Sequence, residues 1–151
     1  MTKQIYLLKE HDMIDELENQ QKINLRQFVG GTGNYYRHWL PNCIYTDGIK
    51  HVADEAQAHW LLDLVFSHIP RFRKTAQWPY YVTLEQWTTE AKPEGAKVLI
   101  SQYDDDGKSY DVTLQTIPFT DFPFQRFEND KFTFKLGTDG QKFILCLIEE
   151  D

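Results

Sequence analysis

The stretch from Ala58 to Ile69 constrains the fold most, because it is apolar around nearly the whole circumference of a helix. A helix without a broad polar face has to be buried beneath other elements. Pro70 ends this pattern, and the residues beyond it change from a helical to an alternating, strand-like period. The chain therefore needs a buried helix and a group of strands that cover it.

Other helical patterns surround this buried segment. The predicted helical segments are, in chain order, Asp12 to Gln21, a turn at Asn24 to Phe28, Tyr35 to Leu40, and Ile49 to Ile69. The last of these is either one helix or two helices broken near Gln57. Gly30 and Gly31 fit the end of the second segment, since glycine readily adopts positive φ.

The aromatic segment Tyr35 to Leu40 is predicted as a short helix closed by Pro41. On such a helix Tyr35, His38 and Trp39 share one face. We expect this face to pack into the core, in which case His38 needs a hydrogen-bond partner.

The second half of the chain has strand patterns at Tyr80 to Thr88, Lys97 to Tyr103, Tyr110 to Thr116, Phe132 to Leu136 and Lys142 to Ile148. Asp106-Gly107 indicates a hairpin turn. Together the patterns predict an α+β fold, with a helical layer of about three to four helices on one face of an antiparallel sheet of about five strands. We expect a single domain over residues 1–151, helical over about 10–70 and stranded over about 78–149.

Charge and cysteine content exclude several functional classes. The net charge of −7 opposes binding to a phosphate backbone, so a nucleic-acid partner is not expected. No cleavable signal peptide is visible, and no uncharged apolar run approaches the roughly twenty residues needed to cross a bilayer. Cys43 and Cys146 are therefore expected to be free thiols in a cytoplasmic protein.

One polar ridge is predicted on the buried helix. Glu55, His59, Asp63 and Ser67 recur every four residues and so fall on one side of a continuous helix. An aspartate one turn after a histidine can orient the imidazole, as in a general base. The candidate catalytic residues are His38, Asp47, His59 and Asp63, and the candidate binding residues are Tyr36, Trp39, Tyr45, Glu55 and Ser67.

No complete catalytic or ligand-binding motif accompanies these candidates. The spacing of a zinc hydrolase is missing, and the glycines at positions 30, 31 and 33 lack the strand and lysine of a phosphate loop. We therefore predict neither a metal nor a cofactor.

Several short motifs resemble a known family. They are Gly31-Thr32, Tyr35-Tyr36, His38-Trp39-Leu40, the segment Tyr45 to Lys50, Trp60 to Asp63, and Thr120 to Pro123. The chain is similar over these residues to small bacterial, cyanobacterial and mobile-element proteins that are classed as a domain of unknown function. The resemblance implies a single-domain bacterial or phage-type protein and assigns no catalytic residue.

Two functions remain open from the sequence. The first is a non-enzymatic interaction module that binds a protein partner or another copy of itself. The second is a small enzyme with a cleft between helices and sheet where His38, Asp47, His59 and Asp63 converge. An open pocket that holds His59 and Asp63 with His38 or Asp47 in hydrogen-bond reach favours the enzyme, whereas full burial of the pair with no adjoining cavity excludes it.

Overall fold

The computed structural model describes residues 22–31, 33–71, 78–91, 94–103 and 106–150. Within these ranges a seven-stranded sheet carries two α-helices. The strands are β1 (Tyr35–Arg37), β2 (Cys43–Thr46), β3 (Tyr80–Gln86), β4 (Ala96–Tyr103), β5 (Ser109–Ile117), β6 (Lys131–Thr138) and β7 (Phe143–Leu147). The helix predicted at Asp12 to Gln21 lies outside the described residues.

The sheet is mixed, with the strand order β1-β2-β7-β6-β3-β4-β5. β2 pairs with β7 in parallel, with Ile44 opposite Ile144, and the other neighbouring strands pair antiparallel. The predicted fold class was therefore wrong, because it had too many helices and an antiparallel sheet of too few strands.

One added strand, β1, lies in the aromatic segment Tyr35 to Leu40 that was predicted as a helix, and the other, β2, follows Pro41. β1 and β2 form an antiparallel hairpin with Tyr36 opposite Tyr45. The His38 N–H closes the loop by donating to the Cys43 carbonyl at 2.9 Å, and Asn42 turns the chain at φ 61°. Asparagine tolerates this left-handed conformation, and tyrosine is enriched in strands. The helical spacing of Tyr35, His38 and Trp39 was thus coincidental.

The long helical pattern is divided into α1 (Asp47–Glu55) and α2 (His59–Ser67). Gln57 breaks it at φ 50°. The Ala58 N–H donates to the Ala53 carbonyl and the Gln57 N–H to the Asp54 carbonyl, the paired bonds of a Schellman helix end. Glycine usually occupies this position, which explains why the break is hard to place from sequence. Short 3-10 turns occur at Arg26–Phe28, Ile69–Arg71, Phe124–Arg126, Glu128–Asp130 and Ile148–Glu150.

The core lies between the helices and one face of the sheet. α1 packs against β1, β2 and β7. α2 contributes Leu61 and Val65, and strands β3 and β6 contribute alternate residues such as Val82 and Phe134. The alternation follows from the strand period, which points successive side chains to opposite faces. Neither helix in the described part of the chain has the length and apolarity to cross a membrane.

The start of α1 is capped by a carboxylate from the other end of the chain. The Thr46 hydroxyl donates to Glu150 Oε1, which also accepts the Leu147 N–H at 2.8 Å. The Gly48 N–H donates to Glu150 Oε2 at 3.3 Å. A β-carbon at Gly48 would collide with the side chains of Leu147 and Glu150. Glu150 is thus part of the cap of α1.

We expect Glu150→Ala to lower the free energy of unfolding by about 1–2 kcal/mol, because it leaves the Gly48 and Leu147 N–H groups without their acceptor. Urea denaturation measures the loss. The matched control is Glu90→Ala, which removes an exposed glutamate and should change stability by less than about 0.5 kcal/mol. Equal effects of the two substitutions would contradict the capping role.

Candidate functional site

Asp63 joins the β1–β2 hairpin to α2. Its Oδ1 accepts the His38 Nε2–H at 2.6 Å and the Trp39 indole N–H at 2.9 Å. The two donors follow β1, whereas the acceptor lies in the middle of α2. One carboxylate oxygen therefore fixes both aromatic side chains against the helix.

Both ring nitrogens of His38 take part in hydrogen bonds. It is 7% exposed, and its ring packs against Phe66 with centroids 4.8 Å apart. The Leu40 N–H donates to Nδ1 at 3.1 Å, so Nδ1 carries no proton and the proton lies on Nε2, facing Asp63. Neither ring nitrogen is left for a substrate.

Trp39 is exposed although its indole is anchored. It is 73% accessible to solvent, and its ring lies beside that of His38 with centroids 5.4 Å apart. Tyr35, His38 and Trp39 were expected in the core, but only His38 is buried there, and Tyr35 and Trp39 are exposed. Trp39 therefore presents a large apolar ring to solvent in a fixed position.

A second cluster of polar side chains surrounds Asp54. Its Oδ1 accepts the His59 Nε2–H at 2.7 Å, and its Oδ2 accepts from the Lys50 ammonium at 2.6 Å. Both partners are substantially exposed, at 56% for His59 and 40% for Lys50. His59 thus binds Asp54, across the break between the helices, and not Asp63 in its own helix.

Tyr36 and Asp47 extend this polar surface along α1. The Tyr36 hydroxyl donates to Asp47 Oδ1 at 2.7 Å, and the Asn34 amide donates to Asp47 Oδ2 at 3.1 Å. The hydrogen bond to Asp47 is the main cause of the raised pKa of Tyr36. Tyr45 stacks on Tyr36 with ring centroids 5.7 Å apart.

A shallow hollow of about 270 Å³ lies between the hairpin and α2. It is lined by Arg37, His38, Trp39, Tyr45, His59, Leu62 and Asp63. The structure thus brings together five of the predicted candidates: His38, Trp39, Tyr45, His59 and Asp63. Tyr36 and Asp47 lie beside this group, linked to it through the stacked tyrosines.

Glu55 and Ser67 lie apart from the hollow. Glu55 accepts from Arg126 through its backbone carbonyl at 2.8 Å and its carboxylate at 3.3 Å. The Ser67 hydroxyl donates back to the Leu64 carbonyl at 2.6 Å. The break at Gln57 changes the helical phase, so the predicted ridge is not continuous.

The two central aspartates are held as anions. Burial raises the pKa of Asp63, but the hydrogen bonds from Trp39 and His38 lower it by more, so it lies below the ordinary value of 3.8. The Lys50 hydrogen bond lowers the pKa of Asp54 against the effect of burial, and the His59 hydrogen bond adds to this. Each carboxylate therefore remains charged through the neutral pH range.

A larger hollow of about 420 Å³ lies elsewhere and is lined by Tyr35, Trp78, Lys135, Cys146 and Glu150, among others. None of the candidate residues lines it. Thr46 and Glu150 at its edge are engaged in the α1 cap. In the described ranges, no group of three or more histidine, cysteine, aspartate or glutamate residues is arranged to hold a metal ion.

Four residues of this surface were not predicted from the sequence, namely Arg37, Lys50, Asp54 and Leu62. Asp54 precedes His59 by five residues, a spacing that puts two side chains on different sides of a continuous helix. Only the break between α1 and α2 brings them together. The i, i+4 spacing of Lys50 and Asp54 is the one signal that was available in the sequence.

A family model described as a family of unknown function, DUF6876, matches residues 19–144. The chain belongs to this family. The match includes the β1–β2 hairpin, both helices and every strand as far as the start of β7. No curated protein and no solved structure matches the sequence significantly. The predicted resemblance to a domain of unknown function is thus confirmed, and family membership assigns no activity to the hollow.

We expect Asp63→Ala to cost about 1–3 kcal/mol of unfolding free energy, because the buried His38 N–H loses its acceptor. Asp63→Asn keeps a carbonyl oxygen at that place and should retain most of the stability. The control is Asp54→Ala, whose exposed partners regain water, so its cost should stay below about 1 kcal/mol. Urea denaturation near pH 7 compares the three.

The same measurement at lower pH tests the charge of Asp63. Its pKa is lower in the folded than in the unfolded chain, so its stabilising contribution is complete above the ordinary value of 3.8. That contribution is lost as pH falls through the folded-state pKa. The advantage of the wild type over Asp63→Asn should therefore shrink in acid. A cost for Asp63→Ala no larger than that for Asp54→Ala would contradict the bridging role of Asp63.

Proposed function

We propose that the protein is a non-enzymatic interaction module that binds a protein partner through Trp39 and the hollow beside it. The observation that carries this proposal is the fixed exposure of Trp39, which is 73% accessible while its indole N–H is held by Asp63 at 2.9 Å. A side chain free to move would instead fold onto the surface or sample many rotamers.

Such a tryptophan is energetically suited to binding. Its side chain can bury roughly 150–250 Å² of surface, and tryptophan is enriched among the residues that dominate protein interfaces. Because Asp63 and His38 already restrict the ring, little further rotamer entropy is lost when a partner covers it. The hollow next to it gives the partner a concave surface to fill.

The chemistry of His38 favours binding over catalysis. His59 and Asp63 line an open hollow with His38 in hydrogen-bond reach of Asp63, which is the arrangement expected of an enzyme. However, both His38 nitrogens are occupied by Leu40 and Asp63. A general base needs a nitrogen within reach of the substrate proton. His38 and Asp63 therefore act together as a structural clamp.

A small enzyme centred on His59 is the second candidate. Asp54 holds His59 Nε2 at 2.7 Å, and no described residue makes a hydrogen bond to Nδ1 of this exposed ring. A carboxylate-oriented imidazole with one free nitrogen can transfer protons. The enzyme hypothesis gains support if Asp54→Asn abolishes the phenotype that the protein produces in its native host but leaves partner binding intact.

The setting of the protein is also part of the proposal. We place it in the cytoplasm of a bacterium, a cyanobacterium or a host of the corresponding mobile elements, supported by the motif resemblance. The net charge of −7 supports a partner other than nucleic acid. Fractionation that recovers the protein with membrane or secreted markers would contradict this location.

The test is affinity capture from the native host with the wild type, Trp39→Ala and a matched control, Phe119→Ala. Phe119 is 67% exposed and lies far along the chain, between β5 and β6. We expect Trp39→Ala to weaken the captured complex by about thirtyfold or more, as for a residue worth about 2 kcal/mol at an interface. Phe119→Ala should bind like the wild type.

Sedimentation of the purified protein over a concentration series identifies the case in which the partner is a second copy. Circular dichroism confirms that both variants are folded. An unchanged affinity of Trp39→Ala for every partner, including itself, would show that this surface is not the interface.

A further inference from the structure

We propose that the group received beside Trp39 is a cationic side chain of the partner, an arginine guanidinium that lies on the indole and donates to the free oxygen of Asp63. This inference rests on the proposed function, because it names the chemistry of the partner at the same surface. It follows from two groups that the contacts among His38, Trp39 and Asp63 leave available: the second carboxylate oxygen of Asp63 and the exposed ring of Trp39.

Asp63 retains half of its hydrogen-bonding capacity. Its Oδ1 accepts from both His38 and Trp39, whereas no described residue donates to Oδ2. The side chain is 50% exposed and lines the hollow. A carboxylate oxygen held in a fixed position is a strong acceptor for a charged donor.

Trp39 supplies the other half of the site. A guanidinium or ammonium group within about 6 Å of a tryptophan ring is attracted by the negative face of the ring. The Trp39 indole is bonded to the same carboxylate, so its exposed ring and Oδ2 lie within one residue's reach. A planar guanidinium can stack on the ring while its N–H groups bond to Oδ2.

The surrounding charges favour a cation over an anion. Asp54 and Asp47 lie on the adjoining helix, and the chain as a whole has a net charge of −7. Lys50 and His59 are each already bonded to Asp54. Arg37 is the remaining cation that lines the hollow. The charged Asp63 carboxylate attracts a cation and repels an anion that enters beside Trp39.

The test is an NMR titration of the ¹⁵N-labelled full chain with N-acetyl-arginine amide, following the Trp39 indole signal. We expect a saturable shift. N-acetyl-citrulline amide has nearly the same shape without the charge and should bind at least about tenfold more weakly.

Asp63→Asn keeps an oxygen for His38 and Trp39 but replaces the free oxygen with an amide that repels a cation. It should weaken arginine binding by at least about tenfold, whereas the matched control Asp121→Asn, at an exposed aspartate, should not. The spectrum itself reports whether each variant is folded. The citrulline comparison uses only the wild type and so does not depend on any variant.

The absence of a saturable shift, equal binding of citrulline and arginine, or full binding by Asp63→Asn would each overturn the cation site. None of these results would affect a partner complex that depends on Trp39, so failure here is distinguishable from failure of the proposed function. If partner binding does not depend on Trp39, both the proposed function and the cation site are overturned.

Discussion

The parallel pairing of β2 with β7 is the constraint on which the rest of the structure depends. It brings Ile44 beside Ile144, joining segments about a hundred residues apart in the chain. The pairing also places Glu150, just beyond β7, where it caps α1 directly after β2. Gly48 allows the carboxylate to approach because it has no β-carbon. Strand pairing and helix start are thus coupled through one carboxylate, and the helical layer is tied to the sheet at this point.

The candidate site follows from this anchoring. With β2 held by β7, the hairpin that carries His38 and Trp39 has a fixed position beside α2, and Asp63 completes the connection. The residue that stabilises the hairpin is also the residue that fixes the exposed indole. The structural role and the proposed binding role therefore meet in Asp63, which explains how a buried, fully bonded histidine can lie next to a large exposed tryptophan.

The sequence indicates local features better than long-range ones. The alternating segments beyond Pro70 are strands in the structure, because a period of two is a local signal. The hairpin was missed because Tyr35, His38 and Trp39 also fit helical spacing, and its stability comes from β7, far away in the chain. The helix break depends on Gln57 in a conformation usually taken by glycine. His38, Trp39, His59 and Asp63 were identified individually, but the Asp54–His59 contact needed the break to be known.

The central claim is that Asp63 holds the Trp39 indole at the surface, and solvent exchange of the indole N–H tests it most directly. We expect the Trp39 N–H to exchange markedly more slowly than an unprotected indole, despite the exposure of its ring. Asp63→Ala should raise that rate towards the unprotected value while the global fold persists. An exchange rate equal to that of free indole in the wild type, unchanged by Asp63→Ala, would contradict the account.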